Sequence, residues 1–217
     1  MLTVHHLGRS QSERIVWLCE ELGIPYDLKV YQRQPNFQAP ADYRALHPMG
    51  LAPVITDSGD GGRATVLAES GAVVDYILAK YGSGRLRPGP ADAAFADYLY
   101  WFHFANGSFQ PAVMRVLIAQ RLGAAPDHPA AAIGLKRRDM MLALLEARLQ
   151  ENDWLAGAGF TAADIMVVFT LTTMRHFAPY DLTPYSHIRA YLQRVAARPA
   201  YRRAMEKGDP GMALLLE

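Results

Sequence analysis

Three short stretches in the first eighty residues carry side chains equipped for chemistry. Gly8-Arg9-Ser10-Gln11-Ser12-Glu13-Arg14 sets two hydroxyls and a carboxylate at the start of a helix. The hydroxyls read either as a helix cap, which serine favours, or as donors to an anion held there. Leu51-Ala52-Pro53-Val54-Ile55 opens a strand on a proline. That suits a strand's first residue or an edge, and equally a cis peptide that turns the preceding backbone outward as a free strand edge. Leu67-Ala68-Glu69-Ser70-Gly71 puts Ser70 at a second helix start, with Glu69 beside it. Free N–H groups and the helix dipole attract an anion there, and Glu69 suits a cation. The pair reads as a plain cap, or as the seat of a zwitterionic α-amino acid head group.

Other chemistries lack their residues. Cys19 is the only cysteine, so no internal disulfide or cysteine-built zinc site is expected. It falls about two turns into the first helix, on the apolar face, as a buried inert thiol. No C-x-x-C stands at the helix start, and without a G-x-S-x-G element Ser10 is no hydrolase nucleophile. His5 and His6 point to opposite faces of a strand, and His47, His103, His128, His176 and His187 lack zincin spacing. All seven histidines are read as structural, and no metal is expected. Lys and Arg number 22 against 21 Asp and Glu, which leaves no basic surplus for nucleic acid. With 51% hydrophobic and 20% charged residues the chain is globular rather than disordered. No apolar run approaches the 18 to 20 or so residues of a membrane span. The first residues do not resemble a secretory signal, so a soluble, cytoplasmic protein is expected.

These stretches need elements to hold them. Leu2, Val4 and His6 alternate as a strand, and Ile15, Leu18, Cys19 and Leu22 share one face of a helix that stops at Gly23. Tyr26 to Tyr31 alternates again, and a short helix follows from about Ala41 to Leu46. Pro53-Val54-Ile55 and Thr65-Val66-Leu67 flank Asp57-Ser58-Gly59-Asp60-Gly61-Gly62, a connection suited to a hairpin. A helix from Ser70 to about Tyr81 closes the series. Strand, helix, strand, helix, strand, strand, helix is the order of a thioredoxin-like domain. Three glycines and two prolines in residues 82–90 mark a linker. Beyond it only helical spacing remains: Phe95, Tyr98, Leu99 and Phe102; Leu142, Leu145 and Leu149; Ile165, Val168, Phe169 and Thr172; Ile188, Tyr191, Leu192 and Val195. Pro126 and Pro129 mark a loop among them. The spacing predicts an α/β domain over 1–81 and an all-helical domain over 91–217.

Five motifs in this order resemble cytosolic glutathione transferases over nearly the whole chain. LTVHHLGRSQSERIVWLCEELGIPYDL resembles the first unit of serine-type bacterial and fungal members, HPMGLAPVI the cis-proline segment, and LAESGAVVDYIL the glutamate-serine motif. Phe160-Thr161-Ala162-Ala163-Asp164-Ile165 resembles the family's capping box, and Arg198-Pro199-Ala200-Tyr201 its late helix. The capping box also stands without the family, since Thr161 and Asp164 can exchange bonds across the first helical turn; it is a folding element.

The resemblance implies glutathione as co-substrate. It assigns Ser10 to the glutathione sulfur, the backbone of Ala52 before cis-Pro53 to the cysteinyl backbone, and Glu69 and Ser70 to the γ-glutamyl head. Leu51 stands where many relatives carry a basic residue, and Asn106 where the family stretch commonly carries an acid. Ser12, His103, Asn106, Phe109 and Gln110 are candidates for the electrophile side. Counted along a helix, Ser12 points about 200° away from Ser10, so it is expected to matter less. The resemblance implies conjugation to a hydrophobic electrophile, with hydroperoxide reduction or a non-catalytic binding or interaction module as alternatives, and a homodimer.

Overall fold

The computed structural model describes residues 1–59, 64–125 and 127–217. Asp60, Gly61 and Gly62 of the expected hairpin turn, and Pro126 of the expected loop, lie outside the described residues. The chain divides into two compact units: residues Met1–Leu86 with Ala197–Ala213, and Arg87–Ala196 with Leu214–Glu217.

The first unit runs β1 (Leu2–Leu7), α1 (Glu13–Leu22), β2 (Asp27–Tyr31), α2 (Ala41–Arg44), β3 (Val54–Asp57), β4 (Thr65–Ala68) and α3 (Ser70–Tyr81), the order that the periodicity predicts. The sheet order is β2-β1-β3-β4; β1 and β2 are parallel, and the other pairs antiparallel. Gly23 ends α1 in the left-handed conformation at φ 59°, returning its N–H to the Cys19 and Glu20 carbonyls. Because successive residues of a strand face opposite ways, His5 and His6 part. His5 lies with Tyr31 and Thr56, bonded to both hydroxyls, and burial pushes its ring below the usual histidine value, with Lys29 adding to the shift. His6 faces the other side of the sheet. There Asp57 accepts bonds from Tyr76, Lys80 and Tyr81, which tie α3 to β3.

A further helix, α9 (Pro199–Gly208), belongs to this unit and not to the helical domain expected over 91–217. Its basic face meets the acidic residues of α1. Arg198 grips Glu21 at 2.7 Å through two nitrogens, Arg203 reaches Glu20 at 2.9 Å, and Lys207 also pairs with Glu20. Tyr201 sets its ring edge-on to Trp17 at 4.8 Å. Periodicity predicts one apolar face on α1, but nine of its ten residues are buried, because α9 covers what would have been a solvent face.

The second unit holds α4 (Phe95–Phe104), a π-helical turn (Ala105–Phe109), α5 (Gln110–Arg121), α6 (Pro129–Glu151), α7 (Ala162–Leu171), a 3₁₀ turn (Thr173–His176) and α8 (Ser186–Ala196). Pro129 opens α6, where its missing N–H costs nothing, instead of marking a loop. Every residue of α7 is buried. A helix with no solvent face must settle its ends internally, and the capping box does so. Thr161 Oγ1 accepts the Ala163 N–H, and Asp164 accepts the Thr161 N–H at 2.9 Å. Asp164 also accepts the Leu155 N–H at 3.0 Å and the Tyr191 O–H at 3.1 Å. Burial pushes its carboxyl up to about 6, against the opposing pull of those donors.

Asp164→Ala is expected to cost about 3 kcal/mol or more, from the lost cap and the stranded buried donors. In a chain of this length that lowers the melting temperature by about 6–12 °C. An unchanged thermal transition would contradict the role given to Asp164.

Candidate functional site

Between the end of β1 and the start of α1 the chain makes a non-helical turn over residues 8–12, with Arg9 left-handed at φ 50°. The turn brings Ser10 Oγ to 2.8 Å from Ser12 Oγ, so the expected 200° separation does not hold; these residues precede the helix. Ser12 occupies the cap position, yet its hydroxyl makes no cap bond. It turns back instead, accepting the Leu7 N–H at 3.1 Å and meeting His6 Nδ1 at 3.0 Å. His6 Nε2 in turn lies 3.0 Å from Asp209, just beyond α9. Ser12 and His6 are wholly buried, and Ser10 is 4% exposed. Ser12, a candidate for the electrophile side, is therefore sealed beneath Ser10 and touches no ligand.

Two glycines admit the His6–Asp209 contact. A Cβ on Gly208 would come within 3.1 Å of His6 Nε2, and one on Gly8 within 3.2 Å of the Asp209 carboxylate. Burial raises the Asp209 carboxyl, but the His6 bond and charge outweigh it and hold the group below its ordinary value.

Beside this turn lies a cleft of about 40 Å³ lined by Gln11, Met49, Leu51, Ala52, Ala68, Glu69 and Ser70. It has room for the end group of a ligand, not for a whole tripeptide. The Ala52–Pro53 peptide is cis, and the Ala52 carbonyl accepts a bond from Gln11 Nε2 at 3.0 Å. Leu51, 60% exposed, gives the cleft an apolar wall where a cation was the family expectation. Glu69 holds the cap position of α3 at φ 70°, a left-handed conformation that costs free energy in a residue with a Cβ and keeps its carboxylate exposed. Ser70 is thus the first helical residue and not the cap; its hydroxyl faces Arg14 Nη1 at 3.3 Å.

Arg14 escaped the sequence reading. Its guanidinium is fully buried, and burial lowers it to about 9, with Glu13 pulling the other way, so it stays charged at neutral pH. Arg14 also donates to Gln11 Oε1 at 2.8 Å, so Gln11 links the buried cation to the backbone before Pro53. The signal was a charged residue directly before the apolar run Ile15–Leu18. The cleft therefore pairs an exposed carboxylate with a helix N-terminus backed by a buried cation, a match for an ammonium and a carboxylate on one carbon.

Cys19 is buried, and burial together with Glu20 pushes its thiol well above the ordinary range, as suits an inert thiol. In the helical unit, Phe109 is wholly buried and stacked on Phe104 at 5.9 Å, so it is core and not pocket wall. His103 is exposed, and Asn106 and Gln110 are half-buried on the π-helical turn and the helix after it. A separate cavity of about 100 Å³ in that unit involves none of these four; Ser108, Arg115, Arg137 and Met141 are among its lining.

Known proteins share this arrangement. Residues 9–80 match the glutathione S-transferase N-terminal domain family, and residues 108–199 the glutathione S-transferase C-terminal domain family. Glutathione S-transferase 3 of Schizosaccharomyces pombe is 31% identical over 95% of this chain and 88% of its own. Glutathione S-transferase GstB of Escherichia coli is 29% identical over 91% of this chain and 95% of its own. A solved glutathione S-transferase from Actinobacillus pleuropneumoniae superposes with a TM-score of 0.85 at 31% identity, covering 96% of this chain and 93% of that one. With a thioredoxin-like unit and a helical unit matched along nearly their full length, the chain belongs to the glutathione S-transferase family of enzymes.

Proposed function

We propose that this chain is a serine-type, cytoplasmic glutathione transferase that holds the glutathione thiolate at Ser10 and conjugates it to an electrophilic small molecule. The observation that carries the reading is the Ser10 hydroxyl at the start of α1, next to a cleft whose Glu69 and Ser70 complement an α-amino acid head group. The γ-glutamyl ammonium goes to Glu69, and its carboxylate to Ser70 and the N-terminus of α3, with Arg14 supplying positive charge from beneath. The cysteinyl backbone pairs with Ala52 as an added strand. That leaves the sulfur at Ser10.

The energies suffice. A free thiol ionises near pH 8.5, and lowering it by about two units takes about 2.7 kcal/mol of preference for the anion. A hydrogen bond to a charged group supplies about 1.5–3 kcal/mol, and the α1 dipole about 0.3–1 kcal/mol. The same thiolate could attack a peroxide oxygen; conjugation is the reading adopted because disulfide exchange on the protein would need a thiol at the helix start, where Ser10 stands. His103, Asn106 and Gln110 remain the candidates for recognising the electrophile.

Two single variants separate binding from activation. Glu69→Ala is expected to weaken glutathione binding about tenfold or more in titration calorimetry, the loss of one charge-assisted bond. Ser10→Ala is expected to leave affinity largely intact while slowing turnover of a chloronitrobenzene on the order of 10²-fold, as for loss of a stabilising donor. Equal affinity in Glu69→Ala, or equal turnover in Ser10→Ala, would remove the corresponding assignment. The family resemblance also leads us to propose a homodimer, and a monomeric mass by sedimentation at micromolar concentration would contradict it.

A further inference from the structure

Beneath Ser10 the polar groups form a single file: Ser10 Oγ, Ser12 Oγ, His6 Nδ1, and from His6 Nε2 to the Asp209 carboxylate, with steps of 2.8, 3.0 and 3.0 Å. Its ends alone reach solvent; Ser10 is 4% exposed and the Asp209 side chain 10%, while Ser12 and His6 are wholly buried. We propose that the thiol proton of bound glutathione passes along Ser10 and Ser12 to His6 and is held there against Asp209. The proposal rests on the assignment of the sulfur to Ser10.

Counting donors shows why the file works as a switch. A hydroxyl has one proton to give. Ser12 Oγ already accepts the Leu7 N–H, so it either donates to His6 and accepts from Ser10, or the reverse. The Asp209 carboxylate accepts, so His6 carries a proton on Nε2 in either case. With His6 neutral, Nδ1 is an acceptor: Ser12 donates to His6, Ser10 donates to Ser12, and Ser10 shows the ligand an oxygen lone pair, suited to an S–H. With His6 protonated on Nδ1 the file reverses, and Ser10 turns its O–H to the ligand, suited to a thiolate. One charge state of His6 matches each form of the sulfur.

The step balances. The S–H bond breaks and its proton joins Ser10 Oγ; the Ser10 proton moves to Ser12 Oγ, and the Ser12 proton to His6 Nδ1. Thiol and imidazole become thiolate and imidazolium, and nothing is released to solvent. When the thioether leaves, the proton returns along the same file to the water that replaces the sulfur. His6 and Asp209 touch neither sulfur nor electrophile; they are positioning residues that act through the two serines. The other charges around them are Arg9, whose backbone N–H donates to Asp209 at 2.9 Å, and Arg33, whose Nε donates to the Gly8 carbonyl at 2.9 Å. Asp209 is the anion of the group, and it faces the ring directly.

The decisive quantity is the number of protons set free per thiolate formed. It is measured by titration calorimetry of glutathione into the whole protein in buffers of different ionisation enthalpy, with the thiolate followed by its ultraviolet absorbance. At about pH 7.5, above the ordinary histidine value of about 6.5, the parent is expected to form the thiolate while releasing well under half a proton for each. His6→Asn keeps a polar atom for Ser12 but no proton acceptor; any thiolate it forms is expected to release a full proton. Asp209→Asn, which keeps a bond to His6 without the charge, is expected to move release the same way and serves if His6→Asn does not fold. A full proton released per thiolate in the parent would overturn the relay and leave Ser10 in place, and so would unchanged release in the variants. Glutathione bound to the parent with no thiolate band would instead remove the Ser10 reading, and the relay with it.

Discussion

The contact between His6 and Asp209 joins residues 203 positions apart, and the candidate site depends on it. It fixes which His6 nitrogen faces Ser12, and through Ser12 it fixes where the Ser10 hydroxyl stands. A buried imidazole without that carboxylate would face the full cost of an unpaired polar group. The contact exists because α9 lies along α1, held by Arg198, Arg203 and Lys207 on Glu20 and Glu21. Burial raises the Glu20 carboxyl, yet the bonds from Lys207, Arg203 and Tyr26 hold it below its ordinary value. Those ion pairs are partly open to solvent, so each contributes modestly; the Trp17–Tyr201 ring contact and the covered face of α1 supply the rest.

The second half of the site works by opposite means. The serine file is dry and satisfied, whereas the cleft sets its charges in unequal surroundings. Glu69 is exposed and Arg14 wholly buried. A charge in a poorly polarisable interior acts over a longer range than one in water, so Arg14 biases the cleft toward an anion without touching it. Gln11 belongs to both halves: it follows Ser10 in the chain, accepts from Arg14 and donates to Ala52. Head group and sulfur are thereby registered on one rigid turn.

Much of the fold was legible because it rests on local signals. The α1 stop at Gly23, the limits of α3 at Ser70 and Tyr81, and the Thr161–Asp164 box each depend on residues within one or two turns. What the sequence hid depends on distant partners. No periodicity reveals that residues 197–213 return to the first unit, since the basic face of α9 reads as a solvated surface until Glu20 and Glu21 are found opposite it. Ser12 reads as a cap from its position, but His6 and Leu7 compete for its hydroxyl and win. Ser70 and Glu69 exchange places because Glu69 takes the left-handed turn. The π-helical turn at Ala105–Phe109 shifts the helical phase, so Leu99 is 36% exposed and Phe109 falls into the core.

The most direct measurement is a crystal structure of this protein with glutathione bound. The account requires the sulfur within hydrogen-bonding distance of Ser10 Oγ, the γ-glutamyl ammonium at Glu69 with its carboxylate at Ser70, and the His6–Asp209 contact intact beneath. A tripeptide bound elsewhere, or one seated in the cleft with its sulfur turned away from Ser10, would contradict it.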